Sequence, residues 1–140
     1  MVGSIAYVVG SYGLRIVDVS DPISPREVGA CDTPGVASGV AVAGGTAYIA
    51  TWEAGLLVIA DVSDPTWPRE LGACATPGYA RDVAVMGDTA YIAAGHDGLR
   101  ILDVSDPTGP SELGGYDTLG FTLGVAVVGS TAYVVDRYAA

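Results

Sequence analysis

The chain has 140 residues, with 6 Lys+Arg against 16 Asp+Glu and a formal net charge of −10. That length suits one small domain, and a composition 50% apolar and 16% charged lies far from the signature of disorder. The acidic balance argues against nucleic acid as a partner, because little here could neutralise a run of phosphates. No apolar run approaches the roughly 18 residues of a membrane-spanning helix, and the opening Met1–Tyr7 lacks the basic stretch that begins a signal peptide.

In chain order, the sequence opens on an apolar strand, Ile5–Val9, and then repeats itself. One phrase occurs three times: Gly13-Leu-Arg-Ile-Val-Asp-Val-Ser-Asp-Pro22, its near-copy ending at Pro65, and Gly98-Leu-Arg-Ile-Leu-Asp-Val-Ser-Asp-Pro107. A second, Gly-x-Thr-Ala-Tyr, ends at Tyr48, Tyr91 and Tyr133, with a variant ending at Tyr7. A third recurs as Thr33-Pro-Gly35, Thr76-Pro-Gly78 and Thr118-Leu-Gly120. The period is about 42 residues, the length of a propeller blade, and dense Gly and Pro punctuation excludes long helices.

The third unit shows the expected elements. Strand A is Asp82–Met86, turned by Gly87-Asp88; strand B is Thr89–Ala94, followed by the loop Gly95–Gly98. Strand C is Leu99–Val104, turned by Ser105-Asp-Pro107, and strand D is Ser111–Tyr116. Strands A and B are almost continuously apolar, which implies burial on both faces by neighbouring sheets. The second copy carries an extra residue near Leu56-Leu57, which predicts a bulge at the start of its strand C. Applied to the whole chain, the pattern gives B-C-D, A-B-C-D, A-B-C-D and A-B, with strand B of the last unit at Thr131–Val135.

These phrases resemble the LVIVD repeat, a β-propeller repeat family, over essentially the whole chain. The resemblance implies an all-β propeller of four-stranded antiparallel blades, commonly in bacterial or archaeal surface or secreted proteins, and no single activity. The expected organisation is a single domain, 1–140, with an incomplete first unit 1–35, units at about 36–78 and 79–120, and a partial last unit 121–140. About three blades cannot close a ring. The expected escape is self-association: a homodimer of six blades, or a trimer of nine, with strands A and B of one C-terminus joining C and D of another N-terminus. Strand B is then present twice, and one copy must give way.

Repeated acids read as turn formers, since Asp18, Asp61, Asp103, Asp21, Asp64 and Asp106 recur in every unit while a catalytic pair is needed once. Neither calcium-loop nor zinc spacing is present, so no metal and no cofactor are expected. Cys31 and Cys74 occupy equivalent positions on neighbouring units, too far apart to bridge. The variable positions carry more information. The B–C and D–A connections emerge on one face and concentrate Tyr12, Trp52, Glu53, Tyr79, Arg81, His96, Asp97, Phe121, Arg137 and Tyr138 there. Exposed aromatics with Arg and acids suit recognition of a protein or carbohydrate. The expected function is a non-catalytic binding or scaffold module with this face as its contact surface. Two alternatives are a propeller hydrolase or lyase using His96, Asp97 and Arg81 at the channel mouth, and an engineered or truncated repeat fragment without independent function.

Overall fold

A computed structural model describes residues 4–52, 55–76, 79–118 and 120–137. It contains thirteen strands: β1 (Ile5–Gly10), β2 (Gly13–Asp18), β3 (Arg26–Cys31), β4 (Ala37–Ala43), β5 (Thr46–Thr51), β6 (Leu56–Asp61), β7 (Arg69–Ala75), β8 (Asp82–Met86), β9 (Thr89–Ala93), β10 (Leu99–Asp103), β11 (Ser111–Tyr116), β12 (Phe121–Val128) and β13 (Thr131–Arg137). They form four antiparallel sheets, ordered β1-β2-β3, β4-β5-β6-β7, β8-β9-β10-β11 and β12-β13. Each sheet is an up-and-down meander, because a short hairpin joins every successive pair. At Gly87-Asp88, for example, Gly87 takes φ 59°, a backbone region that glycine enters without steric cost.

Among the described residues there is no helix, and the ring is not closed within the chain. The strands of the third unit fall within one residue of their expected limits. The expected bulge at Leu56-Leu57 is absent: β5 and β6 pair without interruption from Thr51↔Leu56 to Thr46↔Asp61. The extra residue is absorbed in the B–C loop, which Thr51 closes. Its Oγ1 donates to the Leu56 carbonyl at 3.0 Å and accepts from the Leu56 N–H at 3.1 Å. Bulges occur elsewhere, between strands C and D of each of the first three sheets, at Ile16/Val17, Ile59/Ala60 and Ile101/Leu102. There the outer strand carries one extra residue, which increases its twist.

The sheets stack face to face. β1 packs on β4, β4 on β8, and β8 on β12. Three apolar clusters fill the gaps. The first joins Leu14, Ile16, Ile49 and Val58 with Tyr7 and Val9. The second joins Tyr48, Leu57 and Ile59 to Val83, Ile92 and Leu102, and the third joins Ala93 and Leu99 to Val125. β5 is therefore buried on both sides, as continuous apolar character demands.

The outer strands lock in a second way. A Cβ on Gly29 would meet the Pro65 carbonyl oxygen at 2.0 Å, and one on Gly72 would meet that of Pro107 at 2.3 Å. The first two D strands, β3 and β7, thus receive the Ser-Asp-Pro turn of the following sheet against a bare glycine. The turns are held by their acids. The Asp64 and Asp106 carboxylates each accept from the backbone N–H (3.0 Å) and hydroxyl (2.7 Å) two residues on. Asp61 does the same with Ser63, while Asp18 and Asp103 each accept a backbone N–H. These bonds favour the charged form and hold the carboxyls of Asp18, Asp61, Asp64, Asp103 and Asp106 below their ordinary range.

Candidate functional site

The B–C loops lie at the ends of strands whose partners begin the D–A connections, and backbone bonds tie the two kinds of loop together. The Trp52 N–H donates to the Val36 carbonyl at 2.9 Å, and Gly95 and Thr122 exchange N–H···O bonds of 3.1 and 2.9 Å. Side chains from the β5–β6, β7–β8 and β9–β10 connections, the start of β12 and the end of β13 consequently meet. Trp52 contacts Tyr79 edge-on, with ring centroids 5.6 Å apart. The Arg81 guanidinium lies over Trp52 at 4.9 Å and over Phe121 at 5.8 Å; that of Arg137 lies over Phe121 at 5.1 Å. His96 meets Phe121 edge-on at 4.6 Å. The result is a continuous band of alternating rings and guanidinium groups spanning the second, third and fourth sheets, with buried Phe121 at its hub.

Six of the variable-loop residues singled out from sequence, Trp52, Tyr79, Arg81, His96, Phe121 and Arg137, belong to this band. Tyr12 stands apart from it, exposed at the β1–β2 hairpin. Asp97 is exposed, its N–H closing a turn onto the Ala94 carbonyl. Glu53 and Tyr138 lie outside the described residues.

Three features had a weaker sequence signal. Asp82 stands where the equivalent positions carry Gly39 and Gly124, and its carboxylate accepts the Val125 N–H at 3.1 Å, bridging the third and fourth sheets. Thr122, fully buried, donates to Asp136 at 2.9 Å and shares a hydrogen bond with Thr118 at 2.8 Å. The Trp52 indole Nε1–H is buried with no hydrogen-bond partner among the described residues.

Charge is unevenly disposed around this face. Arg15, Arg26, Arg69 and Arg100 pair with Glu27, Asp18, Asp61 and Glu112. Among the described residues, Arg81 and Arg137 have no carboxylate partner, and both converge on Phe121. The cysteines lie elsewhere, on outer strands. Burial, then nearby Glu70 and Asp32, pushes the Cys31 thiol up; burial, then Glu112, does so for Cys74. Both shifts disfavour the thiolate, the nucleophilic form. Among the described residues no three His, Cys, Asp or Glu side chains group to hold a metal ion, and no helix is long and apolar enough to cross a membrane.

A family model described as LVIVD repeat matches residues 2–33, 34–76 and 77–118. Among solved structures, the chain is similar to the computationally designed Ika8 protein, with a TM-score of 0.71 and 7% identity over 97% of this chain. It spans 41% of that protein's length. At this identity the likeness concerns the fold alone. No curated protein matches.

Proposed function

The chain belongs to the LVIVD repeat family, and on that premise we propose that it is a non-catalytic binding and scaffold module whose ring closes by pairing with a second copy. The variable-loop face is its recognition surface. One observation carries the pairing: β1 and β13, the two copies of strand B, are each covered on one face, and the covered faces are opposite. β1 buries the Tyr7/Val9 side against the second sheet and leaves Val8 50% exposed. β13 places Ala132 and Val134 against the third sheet and leaves Tyr133 and Val135 58% and 61% exposed. Each lacks the cover that the other has.

The outer strand agrees. A Cβ on Gly114, equivalent to Gly29 and Gly72, would meet nothing within 4 Å. In a two-chain ring, β12 and β13 of one copy complete a blade with β2 and β3 of the other, β13 taking the place that β1 holds beside β2 and so gaining the cover of both faces, and the turn at Pro22 enters the slot at Gly114. Six blades result, a number that propellers commonly use, and a two-fold axis makes the two junctions identical.

The test is a Gly114→Val variant. It is expected to keep its far-UV circular dichroism but to run on size exclusion with light scattering as a single chain, where the parent runs as two. A parent and variant of equal mass would overturn the pairing. A mass of three chains for the parent would replace the six-bladed ring with nine.

A further inference from the structure

We propose that the Trp52–Arg81–Phe121–Arg137 band is a binding site for a carboxylate ligand. The inference rests on, and sharpens, the reading of the variable-loop face as a recognition surface. Its first support is charge. In a chain of net charge −10 with six arginines, the only two without a carboxylate partner among the described residues meet at one ring. Two like charges held near each other repel, and ring contacts offset that only in part. An anion received at a guanidinium of this band lowers that repulsion and satisfies its forked donors.

The second support is the Trp52 Nε1–H, buried and unpartnered in the same band. A buried donor left without an acceptor destabilises a folded chain, so a ligand acceptor there gains more than an exposed bond would. Two nearby carboxylates are already engaged, since Asp82 accepts the Val125 N–H and Asp136 accepts the Thr122 hydroxyl, and Asp97 is exposed beside His96. The free groups of the band are thus chiefly donors, and the complementary ligand is an acceptor with negative charge. The strongly acidic chain disfavours a polyanion, and a singly charged, planar carboxylate matches the guanidinium fork. Such a group is carried by a free small acid or by an acidic sugar.

The experiment follows the indole N–H resonance of Trp52 in ¹⁵N-labelled protein, using Trp67→Phe to remove the second indole signal. Probes are acetate, glucuronate, glucose and inorganic phosphate. Acetate and glucuronate are expected to shift the signal saturably and glucose to leave it in place. Equal affinity for the two acids assigns the ligand as a free carboxylate, and tighter binding of glucuronate assigns it as an acidic sugar. Arg81→Gln is expected to weaken binding about tenfold or more, and the exposed Arg137→Gln, which leaves the Arg81 stack in place, by less. Glucose and glucuronate acting alike would overturn the charge-based assignment while leaving the recognition face standing. Phosphate binding more tightly than either acid would also overturn it. Silence toward all four probes in a folded protein would remove the carboxylate site and count against the face as well.

Discussion

The junctions between neighbouring sheets and the two outermost sheet faces are built from the same repeated phrases, yet they meet opposite fates. In the interior, Ile49 and Ile92 are fully buried, and Tyr48 is 7% exposed. At the edges, the equivalent Val8 and Tyr133 are half or more exposed. Gly72 sits tight under Pro107, while Gly114 faces open space. The sequence writes every unit as though it had neighbours on both sides. Burial therefore depends on position in the array, as expected of quasi-one-dimensional repeat proteins, and the outer faces are apolar patches that favour association.

Substitutions at equivalent positions sharpen that contrast. The largest effect is expected from Ile49→Ala, which empties a site in the first inter-sheet cluster and lowers stability by about 2–5 kcal/mol in denaturant unfolding. Its counterpart Val8→Ala should cost much less in a dissociated chain; equal losses would erase the distinction between interior and edge. Gly72→Ala ranks next. The added methyl would press on the Pro107 carbonyl, an overpacking expected to cost about 1–3 kcal/mol. Gly114→Ala should leave the isolated chain as stable as before, and a loss matching that of Gly72→Ala would contradict the open slot.

Acid comes third. The carboxyls of Asp18, Asp61, Asp64, Asp103 and Asp106 titrate below their ordinary range because the turns hold their charged form. Their contribution is complete above the unfolded-chain value of about 4 and is lost as pH falls through the lower folded values. Melting temperature should hold near neutrality and drop below about pH 4. Asp64→Asn should flatten part of that drop, and an unchanged profile would deny the turn acids their role. The smallest effect is expected at the Arg100–Glu112 pair on the third sheet, where Glu112→Gln should change stability by about 1 kcal/mol or less.

Much of this architecture was legible before any coordinates. Strand periodicity, Gly-led hairpins and the repeat length act locally, so the limits of β8 and β11 could be read directly. The C–D bulges could not, because Val28, Leu71 and Leu113 look like ordinary strand residues, yet each is the unpaired residue of its own strand D. The extra residue near Leu56 was legible as an insertion but not as a loop extension, since Thr51 closes the turn through a side chain whose partners lie in the folded hairpin. At the candidate site, variation among loops singled out Trp52, Tyr79, Arg81, His96, Phe121 and Arg137. That they share one band follows from the stacking of β4, β8 and β12, and Tyr12 lies on the hairpin of the first sheet, outside it. The Asp82 substitution in a glycine position was visible in the aligned units, but its bridge to Val125 required the packing of β8 on β12.

The most direct measurement is the solution mass of the unmodified chain by light scattering across a dilution series. Complementary outer faces require twice the 14.1 kDa chain mass, falling toward one chain only at high dilution. A chain that stays at 14.1 kDa at every concentration, well folded and soluble, would contradict the claim that β13 finds on a second copy, in the place of β1, the cover it lacks.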